Sequence, residues 1–351
     1  MMKFIKNVNL YGELTDIGVE EGIIAHIGRC DASGVDFNGA KIYPGLIDTH
    51  AHGCIGLDAT EDELQDMSRY FLEHGTTTWY PTTVTASKED IVAACKRETD
   101  FPDGANIPGF HLEGPFINPK YKGALNEFYI REPSMELIRS AGRVKKITVA
   151  PEIDRCIDFI RECDAVVSLG HTTADYETAI SAFEAGATCL THTFNAMPPL
   201  LHRQPGPIAA GADFGAYAEL ICDGIHVHPT MVRALVRLYG TDRVVLVSDA
   251  IRPAGLEDGE YTVGGIDVIV KAGQARTREG NLAGSTSMLL DCVRCAISFG
   301  IDEYDAVKMA SENPARMMGL NKGRIEVGYD ADFIIVDGKF ELIKVIVRGE
   351  F

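Results

Sequence analysis

Apolar residues in this chain gather into short runs, and most of the runs end in polar residues. The run at 42–47, inside IYPGLIDTHAHGCIGLD, gives way to two histidines one residue apart and then to glycines. Side chains two apart share a face of a strand, so His50 and His52 project together from its end. The pattern recurs in KIYPGLIDTHAH, TTTWYPTTV, IPGFHLEGP, KITVAPE, AVVSLGHT, ATCLTHTFNAM, YAELICDGIHV and RVVLVSDA, which makes eight β-rich runs. Helical stretches separate them. In TEDELQDMSRYFLEHG, Thr60 and Glu63 form a capping-box pattern, Leu64, Met67 and Phe71 follow at helical spacing, and Gly75 ends the helix. DYETAISAFEAG and HPTMVRALVRLYG read the same way. Eight alternations of strand and helix predict an α/β protein built on a (β/α)8 TIM barrel.

The two ends of the chain follow another pattern. KFIKNVNLYG and GIIAHIG near the start, and GRIEVGYDADFIIVD and ELIKVIVRG near the finish, are short strand-like pieces. They predict one small β-sandwich domain formed from residues 1–44 and 323–351, with residues 45–322 as the barrel. The length of 351 residues suits that division, because a barrel takes about 250.

Composition narrows the function classes. The formal charge of −18 disfavours nucleic acid as a partner, since phosphate neutralisation needs a basic surface, but leaves room for one small anion. No run approaches the roughly 20 apolar residues of a membrane span. The start, MMKFIKNVNLYGE, shows no secretory h-region. Nine scattered cysteines, an odd number, suit free thiols in a reducing compartment. Together these give a cytoplasmic expectation. Cys292 and Cys295 form a lone CxxC in a helical context, where core packing is the expected role.

The candidate chemistry lies at strand ends, where barrel enzymes carry their sites. His50 and His52 end strand one and Glu113 ends strand three. His171 follows strand five, His192 lies on strand six and Asp249 ends strand eight. Singly, each has an ordinary reading as a structural histidine, a salt-bridge carboxylate or a helix cap. Jointly they place four imidazoles and two carboxylates at one barrel mouth. That set suits a divalent metal, zinc first and iron or another divalent ion as alternatives. A bound metal lowers the pKa of water and supplies hydroxide near neutral pH. A carboxylate not consumed by the metal can carry the proton to a leaving group, and Asp249 is the candidate.

The motifs PGLIDTHAHG, HLEGPFINP, GHTTADY, THTFNAMPPLLHRQPG, DGIHVHP, SDAIRPAG, LAGSTSML and NPARMMGLNKGRIEVGYDADFIIVD together resemble the N-acetylglucosamine-6-phosphate deacetylases of the amidohydrolase superfamily. The resemblance runs from about residue 44 to about 337; HLEGP and THTFNAMPP carry its specificity. It implies Glu113, His171 and His192 as core metal ligands. His50 and His52 match an additional pair found in two-metal members, so one or two ions per subunit are implied. It makes Asp249 the catalytic acid and base in releasing acetate from the sugar phosphate. It gives Ala124, Asn195, Ala196 and His226 to the substrate, with Leu282, Ala283, Gly284 and Ser285 as a loop over it. Arg203 is implied to reach the phosphate of a neighbouring subunit, hence a homodimer. One departure concerns the substrate. Family members usually carry His or Gln after the KGA stretch, where this chain has Leu125, with Lys122 and Asn126 as the polar groups nearby.

Three other readings remain open. The galacto epimer of the sugar phosphate is one, kept alive by Leu125. A different amidohydrolase substrate is another. Cyclic-amide members often bridge their metals with a carboxylated lysine, and Glu113 stands in that role here. A barrel that binds without catalysis is the third, although all six candidate residues are present.

Overall fold

The computed structural model describes residues 2–350. Eight strands lie side by side in sequence order, every neighbouring pair parallel. They are β1 (Leu46–Ala51), β2 (Thr76–Thr83), β3 (Phe110–Glu113), β4 (Val144–Val149), β5 (Val166–Leu169), β6 (Cys189–Leu190), β7 (Tyr217–Ile221) and β8 (Val244–Val247). A helix follows each: α1 (Gln65–Glu73), α2 (Lys88–Cys95), α3 (Met135–Ala141), α4 (Cys156–Glu162), α5 (Tyr176–Ala185), α6 (Gly206–Phe214), α7 (Pro229–Tyr239) and α8 (Leu289–Ser298). This is the expected TIM barrel, with one continuous core between strands and helices. Strands covered on both faces are buried almost throughout, the threonines of β2 included, which is why the runs looked continuous rather than alternating.

The barrel closes at its mouth. Strands β8 and β1 share no ladder, and the seam is stitched just past the end of β8. Asp249 N donates to His50 O at 2.9 Å, and His52 N donates to Ala250 O at 2.7 Å. The buried Asp48 carboxylate accepts from Ser248 N at 3.4 Å across the same seam.

Helix ends follow local chemistry. Asp175 caps α5 by accepting from Thr178 N, with Gly186 at its C-cap. His228 caps α7 through Nδ1, which accepts from Thr230 N. The capping box expected at Thr60 and Glu63 does not form. Helix α1 starts at Gln65, with no side-chain cap on Leu64. Asp58 and Asp62 instead tie up the preceding turn, and Thr60 Oγ1 accepts from Val84 N. Leu64, Met67 and Phe71 nevertheless face the core, and Gly75 follows the helix at φ +91°.

Both ends of the chain enter a single seven-stranded sheet. The segment Lys3–Leu10 pairs with Glu13–Glu20, and Lys41–Pro44 pairs antiparallel with Phe333–Val336. Ile5, Val8, Ile17, Ile24 and Ile42 from the first part share a core with Phe333, Ile335 and Ile346 from the last. The run read as one strand, 42–47, therefore serves two sheets, changing over at Gly45.

One element was not anticipated. Gly259–Val263, Ile266–Lys271 and Gln274–Thr277 form an antiparallel meander after β8. Its first turn holds Gly264 and Gly265 at φ +55° and +77°, the left-handed pair that a tight hairpin requires. All nine cysteines are free, and Cys292 is buried in α8.

Phe333 is fully buried and belongs to the late strand that pairs with Lys41–Pro44. Phe333→Ala is expected to cost about 3–5 kcal/mol of stability. Chemical denaturation followed by far-UV circular dichroism measures it; a loss under about 1 kcal/mol would show that this sheet does not hold the fold together.

Candidate active site

Strand ends bring the six singled-out residues together, all of them buried. Glu113, at the end of β3, is the centre. Its Oε1 lies 3.1 Å from His171 Nε2, 3.0 Å from His192 Nε2 and 3.3 Å from His50 Nε2. Its Oε2 lies 3.3 Å from His52 Nε2. Asp249 Oδ1 faces the same pair of imidazoles, 3.6 Å from His50 Nε2 and 3.3 Å from His52 Nε2. Two ligand groups result, His50–His52–Glu113 and Glu113–His171–His192, sharing one carboxylate.

The backbone is bent to achieve this. His171, His192 and Asp249 take φ of +48°, +27° and +50°, values that residues with a side chain rarely adopt. The segment around Ser285 braces the last of them. Ser285 N donates to Asp249 O at 2.8 Å, and Ser285 Oγ donates to Ser248 O at 2.5 Å. Gly284 has φ +60°, and a Cβ there would sit 2.9 Å from Asp249 O, so only glycine fits.

The protons of the four imidazoles show what the cluster needs. Each ring directs Nδ1 away from the centre: His52 to Thr82 O at 3.1 Å, His171 to Tyr121 O at 2.8 Å, His192 to Asn195 O at 3.2 Å, and His50 to Glu219 Oε2 at 3.2 Å. Carbonyl and carboxylate oxygens only accept, so every Nδ1 carries a proton and donates it. In the neutral rings each Nε2 is then a lone pair, aimed at the lone pairs of Glu113 and Asp249. His171 Nε2 and His192 Nε2 are only 3.1 Å apart. Acceptors facing acceptors in a buried site repel unless positive charge lies between them. The donor set thus fits a divalent cation, and imidazole nitrogen with carboxylate oxygen is the ligand chemistry of zinc and its neighbours.

Without a cation, protons supply the charge. Burial alone would lower the His50 pKa, but the Glu113 and Asp249 carboxylates outweigh it and push it up to about 9. His52 moves up as well, burial again opposing and the same two carboxylates prevailing. Burial works against ionising Asp249 too, yet His50 and His52 hold its pKa below the usual carboxylate range. Beneath the cluster, His111 is hydrogen-bonded to Thr148 Oγ1 at 2.9 Å and its pKa falls well below the usual value, through burial and then Lys146. It stays neutral and serves the barrel interior.

A cavity of about 480 Å³ opens over the cluster. Ala124, Asn195, Ala196, His226, Leu282, Ala283 and Gly284 line it, together with His52, Glu113, His171, His192 and Asp249. His226 donates from Nδ1 to Asp223 Oδ2 at 2.7 Å. Two expected contacts lie outside the lining. Ser285 is buried behind Asp249, where its hydroxyl is already engaged. Arg203 is exposed on the Pro-rich loop before α6, away from the cavity of its own chain. Leu125 does line the cavity, packed against Val84 and Ile117, with Lys122 and Asn126 beside it. The meander contributes Val263, Gly264 and Val268 to the lining, with Gly264 against Val84.

Sequence reading missed Glu219 on β7 and Lys146 on β4. Both are fully buried and form an ion pair with each other. The available signal was a charged residue inside each apolar strand run. Lys146 is committed to this pair and to Thr49 O at 3.3 Å, so it takes no place in the ligand groups.

An eight-stranded barrel with two histidine–carboxylate groups at its mouth defines a metal-dependent hydrolase of the amidohydrolase type. Residues 42–351 match the amidohydrolase family, and the chain belongs to it. The chain is 38% identical to an N-acetylglucosamine-6-phosphate deacetylase of Vibrio furnissii, over 95% of this chain and 88% of that one. It is 35% identical to an N-acetylgalactosamine-6-phosphate deacetylase of Escherichia coli O157:H7, over 95% and 93%. Among solved structures it superposes with a TM-score of 0.92, at 30% identity, on a variant of the Mycobacterium smegmatis N-acetyl-D-glucosamine-6-phosphate deacetylase in complex with N-acetyl-D-glucosamine-6-phosphate. That match covers 99% of this chain and 98% of the other. The resemblance read from the motifs is the one these comparisons return.

Cation binding must displace the protons now held by His50 and His52. Because the His50 pKa is raised to about 9, the apparent affinity for Zn²⁺ is expected to rise with pH up to that value and then level off. Calorimetric titration at neutral pH in buffers of different ionisation enthalpy reads the protons released; a binding enthalpy independent of buffer would refute the displacement.

Proposed function

We propose that this chain removes the acetyl group of N-acetylglucosamine-6-phosphate by hydrolysis, giving glucosamine-6-phosphate and acetate. The observation that carries this reading is the cluster itself, five ligating side chains and a second carboxylate at the foot of one cavity. Glu113, His171 and His192 would hold one cation, and His50 and His52 with Glu113 a second. Zinc is the first choice for this donor set, with iron or another divalent ion as alternatives. A divalent cation there lowers the pKa of a water molecule toward about 7 and polarises an amide carbonyl.

The protein's own part is proton transfer and orientation. Asp249, ionised at neutral pH, accepts the proton lost by the attacking water on Oδ1. It returns that proton to the amide nitrogen as the carbon–nitrogen bond breaks, so the sugar leaves as the free amine. Gly284 and Ser285 keep the Asp249 backbone in its bent conformation. Ala124, Asn195, Ala196 and His226 give the cavity walls for the sugar phosphate, under Leu282 and Ala283. The phosphate lies far from the broken bond and so contributes orientation.

Arg203 is the natural partner for a phosphate in a second copy of the chain, since it is exposed and outside its own cavity. A homodimer follows from that assignment. Free thiols throughout suit the cytoplasm. A second reading, the galacto epimer as substrate, is favoured by Leu125, whose apolar side chain lies in the cavity wall where it offers the sugar no hydrogen bond.

Amine release from N-acetylglucosamine-6-phosphate, its galacto epimer and the unphosphorylated sugar tests the reading. Turnover of the first well above the others is expected; preference for the epimer would transfer the assignment to the second reading. Asp249→Asn is expected to retain bound metal and lose at least about 100-fold in kcat. A kcat close to that of the parent would remove Asp249 from the proton path.

A further inference from the structure

Three of the four imidazoles donate Nδ1–H to backbone carbonyls, of Thr82, Tyr121 and Asn195. His50 alone donates to a side chain, the carboxylate of Glu219. Glu219 is fully buried on β7, and its oxygens accept from four donors. These are Lys146 Nζ, Thr49 Oγ1 at 3.1 Å, His50 Nδ1 at 3.2 Å and His192 N at 3.3 Å. Lys146 also donates to Thr49 O. One buried network therefore ties β1, β4 and β7 together directly behind the His50 ring, with a further bond from the backbone of His192.

We propose that Glu219, anchored by its bonds to Lys146 and Thr49, is the positioning residue that makes His50 a cation ligand. The His50–His52–Glu113 group then depends on the pair through an imidazole, whereas in the Glu113–His171–His192 group Glu219 touches only the backbone N–H of His192 and no ring nitrogen. The inference rests on reading the cluster as a cation site. A carboxylate has no proton to give, so it admits only the His50 tautomer with hydrogen on Nδ1. That tautomer leaves Nε2 as a lone pair, 3.3 Å from Glu113 Oε1 and 3.6 Å from Asp249 Oδ1. His50 Nε2 is buried and makes no hydrogen bond among the described residues, as suits an atom that would ligate a cation.

An uncharged group at position 219 removes the selection. An amide can turn its NH₂ toward Nδ1 and favour the other tautomer, whose Nε2–H projects into the space the cation needs. Lys146 acts one step further back. Taking it away leaves the Glu219 carboxylate buried with fewer donors to fix its orientation against His50. A buried ion pair is weak evidence for stability, because apolar residues of similar volume fill a barrel at least as well. Its direct bond to a ligand histidine gives it a different use.

The test counts ions rather than turnover. Chelator-stripped protein is titrated with Zn²⁺ near neutral pH and bound zinc is measured by elemental analysis. The wild-type chain is expected to take two ions. Glu219→Gln combined with Lys146→Met, which leaves no unpaired charge, is expected to keep one ion at parental affinity. The other ion should bind 10–100-fold more weakly. His50→Gln leaves the Lys146–Glu219 pair intact and should show the same single loss, and adding it to the double variant should weaken binding no further. Two ions at parental affinity in the double variant, equal weakening of both ions, or a wild-type chain that binds only one would each overturn the proposal. Activity does not enter the readout. Protein that binds two ions but is inactive on every sugar phosphate would sink the deacetylase reading and leave this one standing.

Discussion

The constraint on which the structure turns is electrostatic. Four imidazole lone pairs and two carboxylates converge in a buried space where nothing on the protein can donate a hydrogen bond between neutral rings. Such an arrangement is stable only with positive charge at its centre, and the surrounding structure supplies the means of holding it. The carbonyls of Thr82 on β2, Tyr121 and Asn195, and one carboxylate, take the Nδ1 protons. Below, Thr148 Oγ1 bridges His111 and Thr191, and Thr191 continues to Ser168 at 2.6 Å, so the polar interior of the barrel is hydrogen-bonded down from the site. A cluster of acceptors is therefore built on a layer of satisfied donors.

The same residues close the barrel. The bonds from Asp249 N to His50 O and from His52 N to Ala250 O join the first and last strands within the site itself. Strain and closure are thus located together. Asp249 adopts a left-handed backbone where the seam is tied, and the Gly284–Ser285 segment over-determines it from the other side. A distortion at the seam would be felt at once by the carboxylate that faces His50 and His52. Ser285, placed against the substrate by resemblance, belongs to this brace through its N–H to Asp249 O and its hydroxyl to Ser248 O.

The barrel was legible because fully buried parallel strands are written as dense apolar runs, and eight of them alternate with helical periods. The six residues at the mouth were legible because polar side chains at strand ends interrupt those runs abruptly. Other features were hidden for physical reasons. Lys146 and Glu219 lie inside runs that read as ordinary strands, and a buried ion pair between β4 and β7 joins positions 73 apart in the chain, a separation no local pattern reveals. Thr60 and Glu63 matched a helix start, but Asp58 Oδ1 takes the Thr60 N–H that Glu63 would have claimed, and Thr60 Oγ1 accepts from Val84 N. The Gly264–Gly265 pair between two β-branched runs was a hairpin signal in plain view, overshadowed by the barrel period. Arg203 lies exposed outside its own cavity, where nothing in a single chain tests the role that resemblance gives it.

The shared terminal sheet has a consequence for how the molecule comes into being. Lys41–Pro44 leads straight into the first barrel strand, yet its antiparallel partner, Phe333–Val336, is synthesised only after all eight barrel strands. While nearly the whole barrel is being synthesised, that early strand offers an unpaired edge to solvent and to any neighbouring nascent chain. Contacts so distant in sequence form late and slowly. The barrel mouth is likewise incomplete until Asp249 has emerged to close the seam. Newly made protein therefore passes through a long interval with an open edge and no finished ligand cluster, and the risk of mispairing is concentrated there rather than in the folded enzyme.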